Sequence, residues 1–472
     1  GAEELTIVPS SATAIYDAAG NAASTTQSNN TVNLIDKTAL SFFIDSTYDQ
    51  YLIDITGDIS QNSYNTDVSL TNLSSVTLGS NVTSIGWNAF KDATNLTSIT
   101  IPKTVTSLGQ KAFKDDISLL SVTFESDSSL ATIGYQALMG TKSLTSFTIP
   151  NNVTSIGGSA FYSSGLETIT IPNTITSIAS NAFNSTMDLE TVTFEENSSL
   201  ATIGDNAFYN ATSLTSITIP NSVTSLGMEA FYGDISLSSV TFEDDSSLSL
   251  IKWQAFKGAT SLTSIIIPAS VTTIGANAFN GATSLSSVTF DTPSLLNIIK
   301  GSIFRDATSL TSIHIPKSVT SIGDEAFYNA THLTSVTFED GSSLNSIGYD
   351  AFKNSGLTTI TIPNGVTEIS NNTFRSATSL TSITIPASVT TIGDQCLSGA
   401  TSLHTVIIEA GSLLATIGDS AFKDATSLTS ITIPSSVTSI SIGENAFQGT
   451  GLATLYASAS LIESQGWINY ST

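Results

Sequence analysis

A phrase of the form Leu-x-x-Ile-x-Ile/Phe recurs along this chain and constrains its fold more than any other feature. It begins at Leu73, Leu96, Leu119 and Leu144 and continues to Leu452, with most copies 23 or 25 residues apart. A segment of two dozen residues cannot enclose a core, so each copy must bury its apolar side chains against its neighbours. The expected fold is a repeat solenoid: a continuous parallel β-sheet, with coils closed by short helical or 3-10 turns. About sixteen coils occupy residues 73–451, a non-repeat β-rich cap or accessory segment residues 1–72, and a closing cap residues 452–472.

One coil, Leu214 to Ser236, reads LTSITIPNSVTSLGMEAFYGDIS. Side chains alternate along a strand, so Leu214, Ile217 and Ile219 point inward while Ser216 and Thr218 point outward. Pro220 has no amide hydrogen and ends the ladder. Val223 and Leu226 predict a shorter return strand, and Gly227 permits the turn after it. Met228 to Tyr232 reads as one helical or 3-10 turn that drops Ala230 and Phe231 into the interior. The position of Phe231 is Phe90, Phe113, Phe161 and Phe183 in earlier coils and Phe256, Phe279, Phe304 and Phe327 in later ones, which predicts a buried aromatic column.

Strand, Ile-Pro stop, VTSIG return and Ala-Phe turn recur together, and in this combination the chain resembles the BspA-like leucine-rich-repeat family of bacterial and protist cell-surface proteins. The resemblance runs from Leu73 to the C-terminus. The last segment, LATLYASASLIESQGWINYST, is similar to that family's closing segment, with Trp467 and Tyr470 suited to cover the final coil. It implies an exported, non-catalytic adhesive or binding solenoid at the cell surface or outside the cell. It does not imply a ligand.

Before Leu73 the repeat is absent. Leu40–Ile44 and Tyr51–Ile55 read as strands, and the polar stretch Thr25–Thr31 as a loop. The first residues, Gly1-Ala2-Glu3-Glu4, carry no methionine, which suggests a processed chain whose targeting segment has been removed.

Acidic side chains outnumber basic ones 39 to 14, a formal charge of -25. Such a chain repels nucleic-acid phosphates and anionic lipid headgroups, so nucleic-acid binding is excluded and cations or basic partners are favoured. The single cysteine, Cys396, rules out an internal disulfide and falls in a column held mostly by alanine, which marks it as a packing residue. No apolar run is long enough to read as a membrane span.

Candidate contacts lie on the outward strand face. Its threonine column reads Thr218, Thr241, Ile266, Thr289, His314, Thr337, and the two departures set an apolar contact near a titratable one. Threonine there has an ordinary structural role, since it suits a solvated strand and pairs with threonine next door. Just past the strand a second column alternates proline with acids, among them Glu195, Glu243, Asp291 and Glu339. These read as a solvated acidic edge; weak Ca²⁺ capture is the alternative, without a calcium-loop motif to support it. No cofactor is expected. His314, His332 and His404 lack zinc-motif spacing, and no nucleophile motif is present, so an enzyme is not expected.

Three uses fit such a surface. The first is a binding or adhesion module for a protein or glycan on a host, neighbouring cell or matrix. The second is a self-associating subunit of a surface layer or filament. The third is ice or crystal-surface binding through the Ser-x-Thr ladder, which Ile266, His314 and Ile407 interrupt.

Overall fold

The computed structural model describes residues 3–6, 31–34, 54–55, 70–73, 76–80 and 82–464. It comprises two compact units, Gly1–Ser222 and Val223–Thr472. Each is a parallel β-solenoid in which a front strand of three or four residues alternates with a back strand of two.

In the first unit the front strands include Ser98–Ile101, Ser121–Phe124, Ser146–Thr148, Thr168–Ile171, Thr191–Phe194 and Ser216–Ile219. The second unit continues the pattern with Ser239–Phe242, Ser264–Ile267, Ser287–Phe290, Ser312–Ile315 and Ser335–Phe338, then on to Thr405–Ile408 and beyond. Burial alternates as the sequence predicts: in Ser264–Ile267 the isoleucines at 265 and 267 are buried and residues 264 and 266 are exposed. Leu262, Ile265, Ile267, Val271, Ile274, Ala278 and Phe279 of that coil are all at most 1% exposed. Each large side chain so buried contributes ~1.5–3 kcal/mol, which offsets the ordering cost of a coil without a core of its own.

The aromatic column forms as expected. Phe161, Phe183 and Phe208 stack at 5.2 Å in the first unit, their ring planes nearly parallel. In the second, Phe231, Phe256 and Phe279 do the same at 5.1 and 5.4 Å. Only at the end does the column open, where Phe447 is half-buried.

The Ala-Phe turn departs from the expectation of a helical or 3-10 turn. Two residues per coil take left-handed backbone, one before the alanine and one two places after the phenylalanine, such as Gln254 (φ 56) with Gly258 (φ 76). This alternation splits the amides into two sets. Phe256 and Gly258 donate to Ala278 and Asn280 of the next coil, while Ala255 and Lys257 close local turns onto Lys252 and Gln254. The turn is therefore a third hydrogen-bonded seam between coils. Asn, Asp, Gln, Ser and Gly fill most of these positions because they tolerate positive φ best or hydrogen-bond locally.

Front-strand pairing also alternates. A coil with the Ile-Pro ending pairs with a following Phe-Glu or Phe-Asp coil over four residues, as in Thr168–Ile171 with Thr191–Phe194 and Ser264–Ile267 with Ser287–Phe290. From such a coil to the next, the register shrinks to one residue, Thr191 with Ser216 or Ser239 with Ser264, or to two, Ser287 and Val288 with Ser312 and Ile313. Phe194, Phe242 and Phe338 stand where the other coils carry isoleucine and are half-buried, which holds the following coil off at that end of the strand. Along most of the chain the structural repeat is thus a pair of coils, and the alternation breaks only where two proline-ended coils follow each other, at Pro150 and Pro172 and at Pro363 and Pro386.

Among the N-terminal residues, Glu3–Thr6 pairs antiparallel with Thr31–Leu34, so Thr31 opens a strand instead of closing a loop. Asp54–Ile55, part of the expected strand Tyr51–Ile55, pairs in parallel with Thr77–Leu78. Leu40–Ile44, Trp467 and Tyr470 lie outside the described residues. Near the C-terminus the helix Ala459–Ser464 buries Leu461 completely. No helix among the described residues is long and apolar enough to cross a membrane.

Candidate binding face

Thr218 lies on the strand Ser216–Ile219 of the first unit, exposed to solvent. The other five residues of the outward column belong to the second unit, where Thr241, Ile266, Thr289, His314 and Thr337 occupy five adjacent front strands. Ile266 pairs in register with Thr289, and His314 with Thr337. Strand alternation sets all five outward, and the local chemistry then differs by coil.

Ile266 is 57% exposed, an apolar side chain standing in a row of hydroxyls. Its neighbour two strands away, His314, is held by a 2.9 Å hydrogen bond between Nδ1 and Thr337 Oγ1. That bond fixes the ring against the sheet and leaves Nε2 at the surface. The first unit shows the plain version of the ladder, with Thr100 and Thr123 hydroxyls 2.9 Å apart. Further along that unit the front face forms a shallow groove lined by Ser146, Thr148, Asn151, Thr168, Thr170 and Glu195.

The acidic edge is more structural than the sequence suggests. Glu195 Oε2 accepts from the Asn173 amide at 3.1 Å and Glu339 Oε2 from the Lys317 amide at 3.0 Å. Glu125 and Glu409 do the same to Lys103 and Ala387. In every case the amide follows the proline of the preceding coil, where the ladder has ended and the N–H would otherwise face water alone. Glu243 sits at the equivalent position, exposed. Asp291, one methylene shorter, makes no such bond.

The Lys317 amide holds the Glu339 carboxyl below the ordinary carboxylate range, with the Lys317 ammonium and His314 adding to the effect. Among the described residues no group of three His, Cys, Asp or Glu side chains is arranged to hold a metal ion. Cys396 is fully buried and burial pushes its thiol up to about 12, so it is not a reactive nucleophile at neutral pH.

Sequence reasoning missed a further surface column, the residue after the VTSIG return. It carries Trp87 and Tyr135 in the first unit and Met228, Trp253 and Tyr349 in the second, all between 43% and 48% exposed. Later in the second unit it becomes a side-chain ladder. Asp324 Oδ1 accepts from the Tyr349 amide, Asn371 Oδ1 from Asp394, Asp394 Oδ1 from Asp419 and Asp419 Oδ1 from Glu444, each at 2.8 Å. The available signal was the shift from aromatic to Asp/Asn in one register.

Comparison with known proteins agrees with this geometry. The model of the BspA type leucine rich repeat region matches residues 57–190, 176–306, 297–414 and 408–466. The chain belongs to the BspA-type leucine-rich-repeat family. A leucine-rich repeat protein from Bacteroides ovatus is 31% identical, covers 69% of this chain and 82% of its own, and superposes with a TM-score of 0.60. A leucine rich cell surface protein from Faecalibacterium prausnitzii is 26% identical over 77% of this chain and 94% of its own, with a TM-score of 0.37. The pneumococcal vaccine antigen PcpA is 24% identical over 67% and 79%, with a TM-score of 0.43. No curated protein matches the chain. The BspA-type repeat is a family of typically non-catalytic, surface-associated proteins that act through interaction.

Proposed function

We propose that this chain is an extracellular or cell-surface binding module that takes hold of a protein or glycan through the front-strand face of its second unit. The observation that carries the reading is Ile266, 57% exposed among outward hydroxyls on a strand paired over all four residues with Ser287–Phe290, with the anchored His314 two strands on. An apolar anchor ringed by hydroxyls gives a partner a site to desolvate and polar groups to orient it. Strands spaced ~4.8 Å apart set Ile266 and His314 roughly 10 Å from each other, a span suited to a peptide or a short glycan segment. In this reading residues 1–72 cap the N-terminal end, residues 73–451 form the solenoid and residues 452–472 close it, and neither catalysis nor a cofactor is involved.

A glycan and surface-protein array on the full chain supplies the ligand, and Ile266→Ala with His314→Ala then tests the site. Losing both contacts is expected to weaken binding tenfold or more, about 1.4 kcal/mol at the least. Undiminished affinity in the double variant would remove the site from this face.

A further inference from the structure

Among the described residues of the second unit every adjacent pair of back strands is hydrogen-bonded except one, Thr273–Ile274 and Ile298–Ile299. In neighbouring coils two amides tie the back strand to its predecessor: Asn345 to Thr320 O at 2.9 Å and Gly348 to Ile322 O at 2.8 Å, for example. Their counterparts, Asn297 and Lys300, make neither bond to Thr272 or Ile274.

Two substitutions in the repeat coincide there. The first is Lys300, in a column usually held by glycine. A Cβ on Gly275 of the preceding coil would lie 2.3 Å from the Trp253 nitrogen, and one on Gly323 of the following coil 2.7 Å from Gly301. A side chain in this column therefore crowds the neighbouring coil. The second is Ile303, fully buried where the other coils of this unit carry alanine, cysteine or threonine.

Lys252 separates the two effects. It also replaces the glycine, but its coil keeps Ala255, and its amide still reaches Leu226 O at 3.1 Å with both strand residues paired. Adding the bulk of Ile303 removes the back ladder altogether. The distortion also reaches the aromatic column, where Phe279–Phe304 widens to 5.6 Å and Phe304–Phe327 tilts by 20°. Meanwhile the front pair Ser264–Ile267 with Ser287–Phe290 keeps its four-residue register.

We infer that this junction is a hinge in the second unit, pivoting on the front strands and opening at the back, with Ile303 as the wedge. A coil joined to its predecessor at the front and the turn, but not at the back, has one free side about which to bend. The pivot strands carry Ile266 and Thr289, so bending there changes the spacing of that face.

Hydrogen exchange on the full chain tests this without any ligand. The peptide spanning 296–302 is expected to exchange at least about tenfold faster than its equivalent, 344–350, because local opening governs exchange. Ile303→Ala is expected to slow 296–302 towards the rate of 344–350. In the reverse direction, Ala255→Ile is expected to raise exchange over 248–254, creating a seam where none exists. Equal protection of the two wild-type peptides, or an unchanged 296–302 rate in a folded Ile303→Ala variant, overturns the hinge and leaves the binding reading untouched.

Discussion

Asp116 has no exposed surface, and burial pushes its carboxyl up to about 8. It occupies the column that is alanine in most coils, and its Oδ1 accepts from the Ala93 amide at 2.8 Å. Thr141, at the same place one coil on, donates its hydroxyl to the carbonyl three residues back, Leu138 O at 2.9 Å. A protonated Asp116 has a donor suited to the same task towards Phe113. Because the folded value lies above the unfolded 3.8, the native state holds the proton more tightly, and stability falls as pH rises from about 4 to about 8 and then levels. Asp116→Asn keeps an acceptor and supplies a permanent donor. It is expected to leave stability nearly unchanged near pH 4 and to gain on wild type by ~1.4 kcal/mol per unit of pH as an upper bound, read from urea midpoints at pH 5, 7 and 9. A constant gap across that range would mean that Asp116 is ionised in the fold. The DISL at 116–119, against the usual ATSL, is visible in the sequence; its burial is not, because an isolated acid reads as surface.

Glycine in the VTSIG return was legible as a turn residue, yet the fold uses it for close approach. A Cβ on Gly418 would stand 2.4 Å from Asp394 Oδ1 and 2.6 Å from the Asp394 nitrogen. Gly418→Ala should therefore cost about 1–3 kcal/mol, as overpacking does, and Asp394→Ala in the same chain should restore only part of it because the backbone contact remains. Thermal melts of the two single variants and the double variant measure this; a neutral Gly418→Ala would show that the coils can part freely at that point.

At the level of strands and turns, the alternation of proline with acid was visible, but its purpose was not. Charge spacing alone makes the acids a solvated edge; the structure shows Glu125, Glu195, Glu339 and Glu409 reaching back to the amide that follows each proline. This cap and the four-residue ladder join the same two coils, which is why the structural unit is the pair. Asp291→Glu adds the missing methylene and is expected to cap the Ala269 amide, slowing its exchange and adding about 0.5–1 kcal/mol, the usual net worth of one hydrogen bond. No change in Ala269 protection would show that side-chain length is not what Asp291 lacks. The alternation bears on the wider choice of function too, since a face whose strand register changes from coil to coil lacks the uniform lattice an ice surface demands. The inward strand residues were readable from period-two patterning alone. The turns were not, because a run such as Trp253–Lys257 carries no local signal that separates a helical turn from alternating left-handed residues.

For the molecule as a whole, the charge decides what the exposed surface does to its own copies. At pH 7 the formal charge is -25, and two chains repel unless a specific contact outweighs it. The sequence pI is about 4.1, so acidification removes that repulsion while the hydroxyl-rich faces and the exposed Ile266, Trp253 and Ile407 stay as they are. Light scattering of the full chain is therefore expected to show a discrete species at pH 7 and reversible association near pH 4, because proteins near zero net charge lose their colloidal protection. Salt should act in the same direction at pH 7, more weakly, by shortening the Debye length to ~8 Å and below. A surface-layer or filament subunit would behave otherwise, growing with concentration at pH 7 in low salt through contacts that overcome the charge. That outcome would move the exposed face from foreign partners to other copies of this chain, and it would make the acidic edge a device for spacing neighbours instead of one for keeping them apart.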